Sequence, residues 1–293
     1  MSDPSALVES ALERVLARPV RIRGRVALGG GDISQVERLD TTAGPFVLKS
    51  DRHNVPGLFS AEAESLGALA RSGTSLRIPA VVACRDADPS FLVLEDLGHG
   101  RPRPDDDERF GRGLAELHRA GADRFGFVRD TFCGTTSQPN PWTPRWIDFY
   151  GQARLSHQLE IASQGGRLSF GDRERIERLI DRLQAWLTEP AEGPALIHGD
   201  LWSGNRHVAA DGSAAAIDPA AYHAHREAEL GMMTLFGGFS SRVFAAYDEA
   251  FPLEKDWRDR NPLYQLYHLL NHLNLFGRGY HGQVMAVVRR YVG

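Results

Sequence analysis

Leu196-Ile-His-Gly-Asp200-Leu-Trp-Ser-Gly-Asn205 is the stretch that decides how this chain reads, together with Ile217-Asp218-Pro219. Asp200 is followed five positions later by Asn205, and Asp218 stands thirteen positions beyond the asparagine. Transfer of a phosphoryl group to a hydroxyl needs that set of groups. A carboxylate must accept the proton of the attacking hydroxyl, while an amide oxygen and a second carboxylate hold the cation that neutralises the phosphates. The intervening residues fit a tight return of the chain. Ala195-Leu-Ile is a short apolar run into the loop. His207-Val-Ala reads as a strand, Asp211-Gly212 as a hairpin turn, and Ala214 to Ile217 as the returning strand, which would bring Asp218 back beside Asn205. Asp and Asn also serve ordinary surface turns, but such turns do not require three of them at these spacings.

The bulk composition narrows the class. The chain has 293 residues, enough for one large domain or two lobes, with 34 Lys plus Arg against 38 Asp plus Glu and a formal charge of −4. No basic stripe interleaves with aromatics, so no nucleic-acid partner is expected. No apolar run approaches the ~20 residues of a membrane span. Met1-Ser-Asp-Pro-Ser lacks the basic and apolar segments of a signal peptide. Two cysteines, Cys84 and Cys133, make no disulfide framework, and there is no C-x-x-C pair. A soluble cytoplasmic protein is the expectation.

The first third of the chain reads as strands around one helix. Ser5 to Ala17 has helical periodicity, with Leu7, Ala11 and Val15 on one face and Val8, Leu12 and Leu16 beside it. Val20 to Val26 alternates apolar and basic residues, as a half-buried strand does. Gly29, Gly30 and Gly31 then lead to Ser34 and a returning strand. Glycines there let backbone N–H groups approach a phosphate, and Ser34 can add a hydroxyl. Phe46 to Lys49 is a further strand with Lys49 at its end. In the helix Leu58 to Arg71, Glu62 shares a face with Phe59, Leu66 and Leu69, whereas Glu64 lies on the solvent side. A carboxylate on an apolar stripe needs a buried partner, and Lys49 is the cation available. Arg77 to Ala83 and Ser90 to Glu95 read as two more strands. The second runs into Glu95-Asp96-Leu97-Gly98, where the strand-rich part ends.

The remainder reads as mainly helical. Asp107 to Gly121 carries Phe110, Leu114 and Leu117 on one face, with His118 near its end as a packing residue. Residues 122–150 are irregular and aromatic. Ser169 to Asp172 forms a capping box for a helix with Ile176, Leu179, Ile180, Leu183 and Leu187. The pair His223 and His225 has no third ligand at metal-site spacing. Pro262 in a first turn opens a helix over Leu263 to Phe276. Its apolar stripe is Leu263, Leu266, Leu270 and Leu273, and His268, Asn271 and His272 share the other side. No Walker A or His-Glu-x-x-His pattern occurs.

With these residues in hand, the chain resembles the fructosamine kinase (ketosamine-3-kinase) family, a branch of the protein-kinase-like superfamily that includes aminoglycoside and choline phosphotransferases. The resemblance rests on His198-Gly-Asp-Leu-Trp-Ser-Gly-Asn205, Asp218-Pro-Ala220, Arg226-Glu-Ala-Glu229, Leu235-Phe-Gly-Gly238 and Tyr264 to Phe276. It implies an α+β fold of two lobes, residues 1–97 as a small antiparallel-sheet lobe that binds nucleotide and residues 98–293 as a larger, mainly helical catalytic and substrate lobe. It implies ATP and Mg2+, with Asp200 as base, Asn205 and Asp218 on the metal, and Lys49 with Glu62 on the phosphates. Gly29, Gly30, Gly31 and Ser34 would cover the phosphates, and Glu95 and Leu97 would lie at the adenine-reading hinge. The implied reaction is phosphorylation of the sugar 3-hydroxyl of ketoamines formed on lysine, free or in proteins, as a deglycation step, with ribulosamine slightly favoured. Trp202, His268, Asn271 and His272 are the expected acceptor-side residues.

Departures from the family pattern are Asp32, where many relatives carry Cys, and Glu229, where Asp is usual. Asp218-Pro-Ala in place of Asp-Phe-Gly, with no Ala-Pro-Glu, separates the chain from protein kinases. The rival readings are an aminoglycoside- or choline-type phosphotransferase of the same fold, for which an acidic acceptor lining is the discriminator, and a nucleotide-binding pseudokinase. Intact Lys49, Asp200, Asn205 and Asp218 argue against the latter.

Overall fold

The computed structural model describes residues 4–29, 34–51 and 55–293. Helix α1 (Ser5–Leu16) precedes three strands, β1 (Ile22–Ala27), β2 (Ser34–Thr41) and β3 (Gly44–Asp51). Helix α2 (Leu58–Arg71) follows, then β4 (Val81–Arg85) and β5 (Phe91–Glu95). The five strands form one sheet in the order β1-β2-β3-β5-β4, every neighbouring pair antiparallel. Period-two alternation explains why β5 is apolar throughout. Phe91 and Val93 face a small core with Leu39, Leu48, Val8 and Leu12 of α1. Leu92 and Leu94 face the other way, into the large core that α2 shares with the helical part.

Two expectations shift here. The buried face of α1 is Val8 and Leu12, while Leu7 and Val15 are exposed. The stretch from Arg77 joins the sheet only at Val81, because Pro79 cannot donate to a ladder. Arg77 instead pairs across the molecule. Its N–H donates to Ala214 O at 2.8 Å and its carbonyl accepts from Ala216 N–H at 3.1 Å.

The helical part begins with α3 (Asp106–His118), followed by the short hairpin β6 (Thr131–Cys133) and β7 (Thr136–Gln138). Helix α4 (Trp146–Phe149) runs through a π-helical segment over Tyr150–Ser156 into α5 (His157–Gln164), and α6 (Phe170–Asp181) starts on the Ser169–Asp172 capping box. Strand β8 (Ala195–Ile197) precedes the catalytic-type loop, β9 (Arg206–Val208) and β10 (Ala214–Ala216) make the hairpin beyond it, and β11 (Tyr222–Ala224) returns to pair with β8. Helices α7 (Glu227–Leu235), α8 (Ser241–Ala250), α9 (Trp257–Phe276) and α10 (His281–Val292) complete the chain.

Helix α9 is longer than its sequence reading. It starts at Trp257, so Pro262 lies inside it rather than at its first turn. Buried Trp257 and the pairing of Arg260 with Glu227 at 2.5 Å hold the extra residues and compensate for the ladder bond that proline cannot make. The junction between the two parts is fastened by backbone. Ala210 N–H donates to Leu97 O at 2.8 Å, and Gly100 N–H donates to Val208 O at 2.9 Å.

The placement of α1 gives a direct check on the small core. Leu12→Ala is expected to cost about 2–5 kcal/mol in a denaturant titration, and Leu7→Ala to stay within about 0.5 kcal/mol. Equal effects would mean that α1 does not pack on Val8 and Leu12.

Candidate active site

The loop after β8 is held from below by one carboxylate. Glu229, in the first turn of α7, accepts from His198 N–H at 2.5 Å and from Gly199 N–H at 3.1 Å, and it is buried. His198 is buried beside it and burial lowers its pKa, which keeps the ring neutral. Its Nδ1 accepts from Asp200 N–H at 3.3 Å, so Nε2 carries the proton and donates to Ile217 O at 2.8 Å. Its carbonyl accepts from Ala220 N–H at 2.9 Å. Gly199 has φ +85°, and a Cβ there would stand 2.1 Å from Ala220 O. Only glycine lets the loop press this closely on the segment that follows Asp218.

The hairpin does what its spacing suggested. Arg206 pairs with Ala216 and Val208 with Ala214, and Ile217 N–H donates to Asn205 O at 3.0 Å. Asn205 is buried, and its Nδ2 donates to Asp200 O at 2.8 Å, which leaves Oδ1 as the acceptor end of a fixed amide. Asp218 adopts a left-handed backbone at φ +59°, which Asp tolerates better than most residues. Lys49 is buried inside β3 and lies 2.7 Å from Glu62 of α2 and 2.9 Å from Asp218. Burial opposes its charge, but the two carboxylates outweigh that and hold its pKa above the ordinary value. Glu64 instead pairs with Arg71 at the surface. Asp200 experiences the opposite balance. Burial, then Asp218, then Glu229 push its pKa from 3.8 up to about 7. A surplus of negative charge focused at one point fits a site for a divalent cation.

Lys49, Glu62, Asp200, Asn205 and Asp218 line one cavity of about 590 Å³. Ser34 lines it as well, from the start of β2, with Trp202, Asn271 and His272. Gly29 is exposed, while Gly30 and Gly31 lie outside the described residues. Trp202 is 40% exposed, and a Cβ at Gly204 would strike its ring at 2.1 Å, so that glycine makes room for the indole.

Four of the expected residues have polar groups engaged elsewhere or lie off the cavity lining. The Glu95 carboxylate is taken by Arg77 and by Ala80 N–H, and the Leu97 carbonyl by Ala210 N–H. Neither residue is among those lining the cavity, because both fasten the junction. Asn271 reaches the wall but its amide is committed inward, donating to Cys133 O at 3.1 Å and accepting from Gln158 at 3.2 Å. His268 is buried and is not among the lining residues, since α9 is covered on its polar side too. His272 lines the cavity too, in an aromatic group with Phe236, Phe276 and Tyr280.

Sequence reasoning did not single out Glu229 or Cys133 as site residues. An acidic residue in the first turn of a helix was a usable signal for Glu229. No local pattern marked Cys133, whose place depends on how the β6–β7 hairpin packs.

A small antiparallel sheet with a buried Lys–Glu pair, joined to a helical part that presents Asp200, Asn205 and Asp218 in one cavity, defines a protein-kinase-like phosphotransferase architecture. The chain belongs to the fructosamine kinase family, whose model matches residues 4–293. It is 36% identical to a probable ketoamine kinase of Synechocystis over 98% of this chain and 96% of that one. It is 37% identical to the chloroplastic protein-ribulosamine 3-kinase of Oryza sativa over 94% of this chain and 80% of that one. A solved structure from Thermobifida fusca, provisionally assigned as a fructosamine-3-kinase, superposes with a TM-score of 0.84 at 36% identity, covering 96% and 97% of the two chains. The aminoglycoside phosphotransferase APH(4)-Ia shares the fold, with a TM-score of 0.61 at 16% identity over 97% and 99% of the chains.

Two measurements test this geometry. Glu62→Gln is expected to lower kcat/KM at least about tenfold, because Lys49 loses an orienting charge, and Glu64→Gln to leave it near wild type. The reverse order would mean that the Lys49–Glu62 pair has no part in turnover. The second concerns Asp200 in metal-free buffer. Its folded-state pKa is raised, so its favourable contribution is present below pH ~4 and is lost as pH rises through about 7. Asp200→Asn is therefore expected to unfold at a higher temperature than wild type at pH 8, with the gap closing towards pH 4. A gap that ignores pH would rule out a strained Asp200 carboxylate.

Proposed function

We propose that this protein is an ATP-dependent ketosamine 3-kinase that phosphorylates the sugar 3-hydroxyl of ribulosyl- or fructosyl-lysine, free or on proteins, in the cytoplasm. The observation that carries the reading is the convergence of Asp200, Asn205, Asp218 and the Lys49–Glu62 pair on one cavity, in a chain about 36% identical to named ketoamine and ribulosamine kinases. Residues 1–97 act as the nucleotide lobe and residues 98–293 as the catalytic and acceptor lobe.

Each residue then has one task. Asp200 accepts the proton of the acceptor hydroxyl, and its raised pKa brings it near the working pH of a general base. Asn205 Oδ1 and the Asp218 carboxylate hold magnesium. The bound ion supplies neutralisation of the phosphate charge. Lys49 fixes the phosphates from the sheet side, and Ser34, at the start of β2, adds a hydroxyl to them. Trp202 offers a flat face to a sugar ring, and His272 offers a hydrogen-bonding group at the mouth. Among the described residues, the cavity's carboxylates are Glu62, Asp200 and Asp218, each with a task in the transfer itself. The acceptor end is Trp202, Phe132, Phe236, His272, Phe276 and Tyr280. A lining with no acid beyond these three favours a ketoamine over a polycationic aminoglycoside.

The test is phosphorus NMR of products from a panel of ketoamines, an aminoglycoside and choline, each with ATP and Mg2+. Ketoamines are expected to be phosphorylated at the 3-hydroxyl, with lysine and unmodified sugar poor acceptors. Asp200→Asn is expected to lose ~10²–10⁴ in kcat. Preferential turnover of the aminoglycoside or choline would move the protein to the rival activity.

A further inference from the structure

Cys133, Asp200 and His268 come from β6, the catalytic-type loop and α9, far apart in sequence. In the fold, one ligand atom from each lies within 4.8 Å of the other two. Cys133 and Asp200 line the cavity, and Cys133 and His268 are each more than nine-tenths buried. His268 Nδ1 is buried with no hydrogen-bond partner among the described residues. A buried ring nitrogen left unpaired normally forfeits a hydrogen bond for some reason, and nothing in the proposed transfer chemistry uses this one.

We propose that Cys133, Asp200 and His268 form a binding site for one thiophilic divalent cation of the Zn2+ class, entered from the active-site cavity and separate from the magnesium position at Asn205 and Asp218. One thiolate, one imidazole and one carboxylate are three ligands of the types zinc takes, and the fourth position opens to the cavity. Zinc with bonds of ~2.0–2.3 Å places tetrahedral ligand atoms ~3.3–3.8 Å apart. The three side chains would close by up to about 1–1.5 Å on the ion. Magnesium prefers oxygen ligands and is a poor match for the sulfur and the imidazole.

The surroundings suit this role. Burial pushes the His268 pKa down to about 3, so the ring is the neutral form that ligates. Burial, then Asp200, hold the Cys133 thiol well above the usual range, so the free protein keeps it protonated and unreactive. Binding therefore forms the metal–sulfur bond and releases the thiol proton to solvent. The side chains of Tyr267 and Asn271 lie against the sulfur and favour its anionic form, as outer-shell groups do around metal thiolates.

The functional consequence rests on Asp200 as the base. A cation on its carboxylate removes the proton acceptor and occupies the space of the acceptor hydroxyl. Such a cation would inhibit in competition with the acceptor and not with ATP.

Cobalt reports binding without any assumption about the reaction. Titration of Co2+ into the metal-free protein, with Mg2+ in excess, is expected to give one equivalent with a thiolate-to-cobalt charge-transfer band, and Zn2+ is expected to abolish it. The band should persist in Cys84→Ser, which changes the exposed cysteine, and disappear in Cys133→Ser. His268→Gln should keep a thiolate band but weaken Co2+ binding about 100-fold or more, since a direct ligand is lost. Circular dichroism checks that each variant is folded. Absence of the band in wild type overturns the proposal, as does a band that follows Cys84 or one whose affinity ignores His268. Zn2+ inhibition competitive with a ketoamine is the expected kinetic result. A full cobalt signature in a protein that phosphorylates no ketoamine would sink the substrate reading and leave the metal site standing.

Discussion

Removing the Lys49 ammonium from water is the constraint around which the rest is arranged. Lys49 is buried in β3, and an unpaired buried cation would be untenable. It is held by Glu62 at 2.7 Å and Asp218 at 2.9 Å. One partner lies on α2, in the strand-rich part, and the other follows the β9–β10 hairpin in the helical part. The pairing therefore welds the two parts at the site where phosphates are proposed to bind. It also sets what α2 can do. Glu62 must face inward, so Phe59, Leu66 and Leu69 on the same stripe pack into the large core, and Ser65 accepts from Ala221 N–H at 3.2 Å beyond Asp218.

The second level of organisation is electrostatic. Glu229 and His198 hold the loop from beneath through backbone N–H groups and a single histidine tautomer. The same Glu229 contributes to the raised pKa of Asp200, after burial and Asp218. A carboxylate that positions the loop thus also keeps its catalytic-type aspartate basic. Glu in place of the usual Asp at 229 still reaches both donors, because the carboxylate bridges His198 N and Gly199 N from the first turn of α7. The departure noted in the sequence has its compensation in the geometry.

The cation site proposed at Cys133, Asp200 and His268 would let one active site serve two chemistries. Oxygen donors at Asn205 and Asp218 suit a hard cation, and the sulfur of Cys133 and the imidazole of His268 suit a softer one. Asp200 belongs to the softer set and is also the proposed base. That double use of Asp200 would make occupancy of the softer site and proton acceptance mutually exclusive.

The sequence by itself determined the elements with short-range causes. The Asp200, Asn205 and Asp218 spacing, the Asp211-Gly212 turn and the Ser169 capping box each depend on residues a few positions apart, so each was legible. The choice of Glu62 over Glu64 was legible too, since helical spacing alone separates an apolar stripe from a solvent face. The tertiary structure decided what packing from distant segments controls. Burial of α1 through Val8 rather than Leu7 depends on where the sheet lies against it. The polar side of α9 carried His268 and Asn271 into the interior because β6 and α5 cover it, and periodicity cannot say what covers a polar face. Glu95 and Leu97 became fasteners because Arg77 and Ala210, far away in the chain, reach them first. The meeting of Cys133 with Asp200 and His268 has no local signature at all, because it is made by three elements brought together only when the cores close.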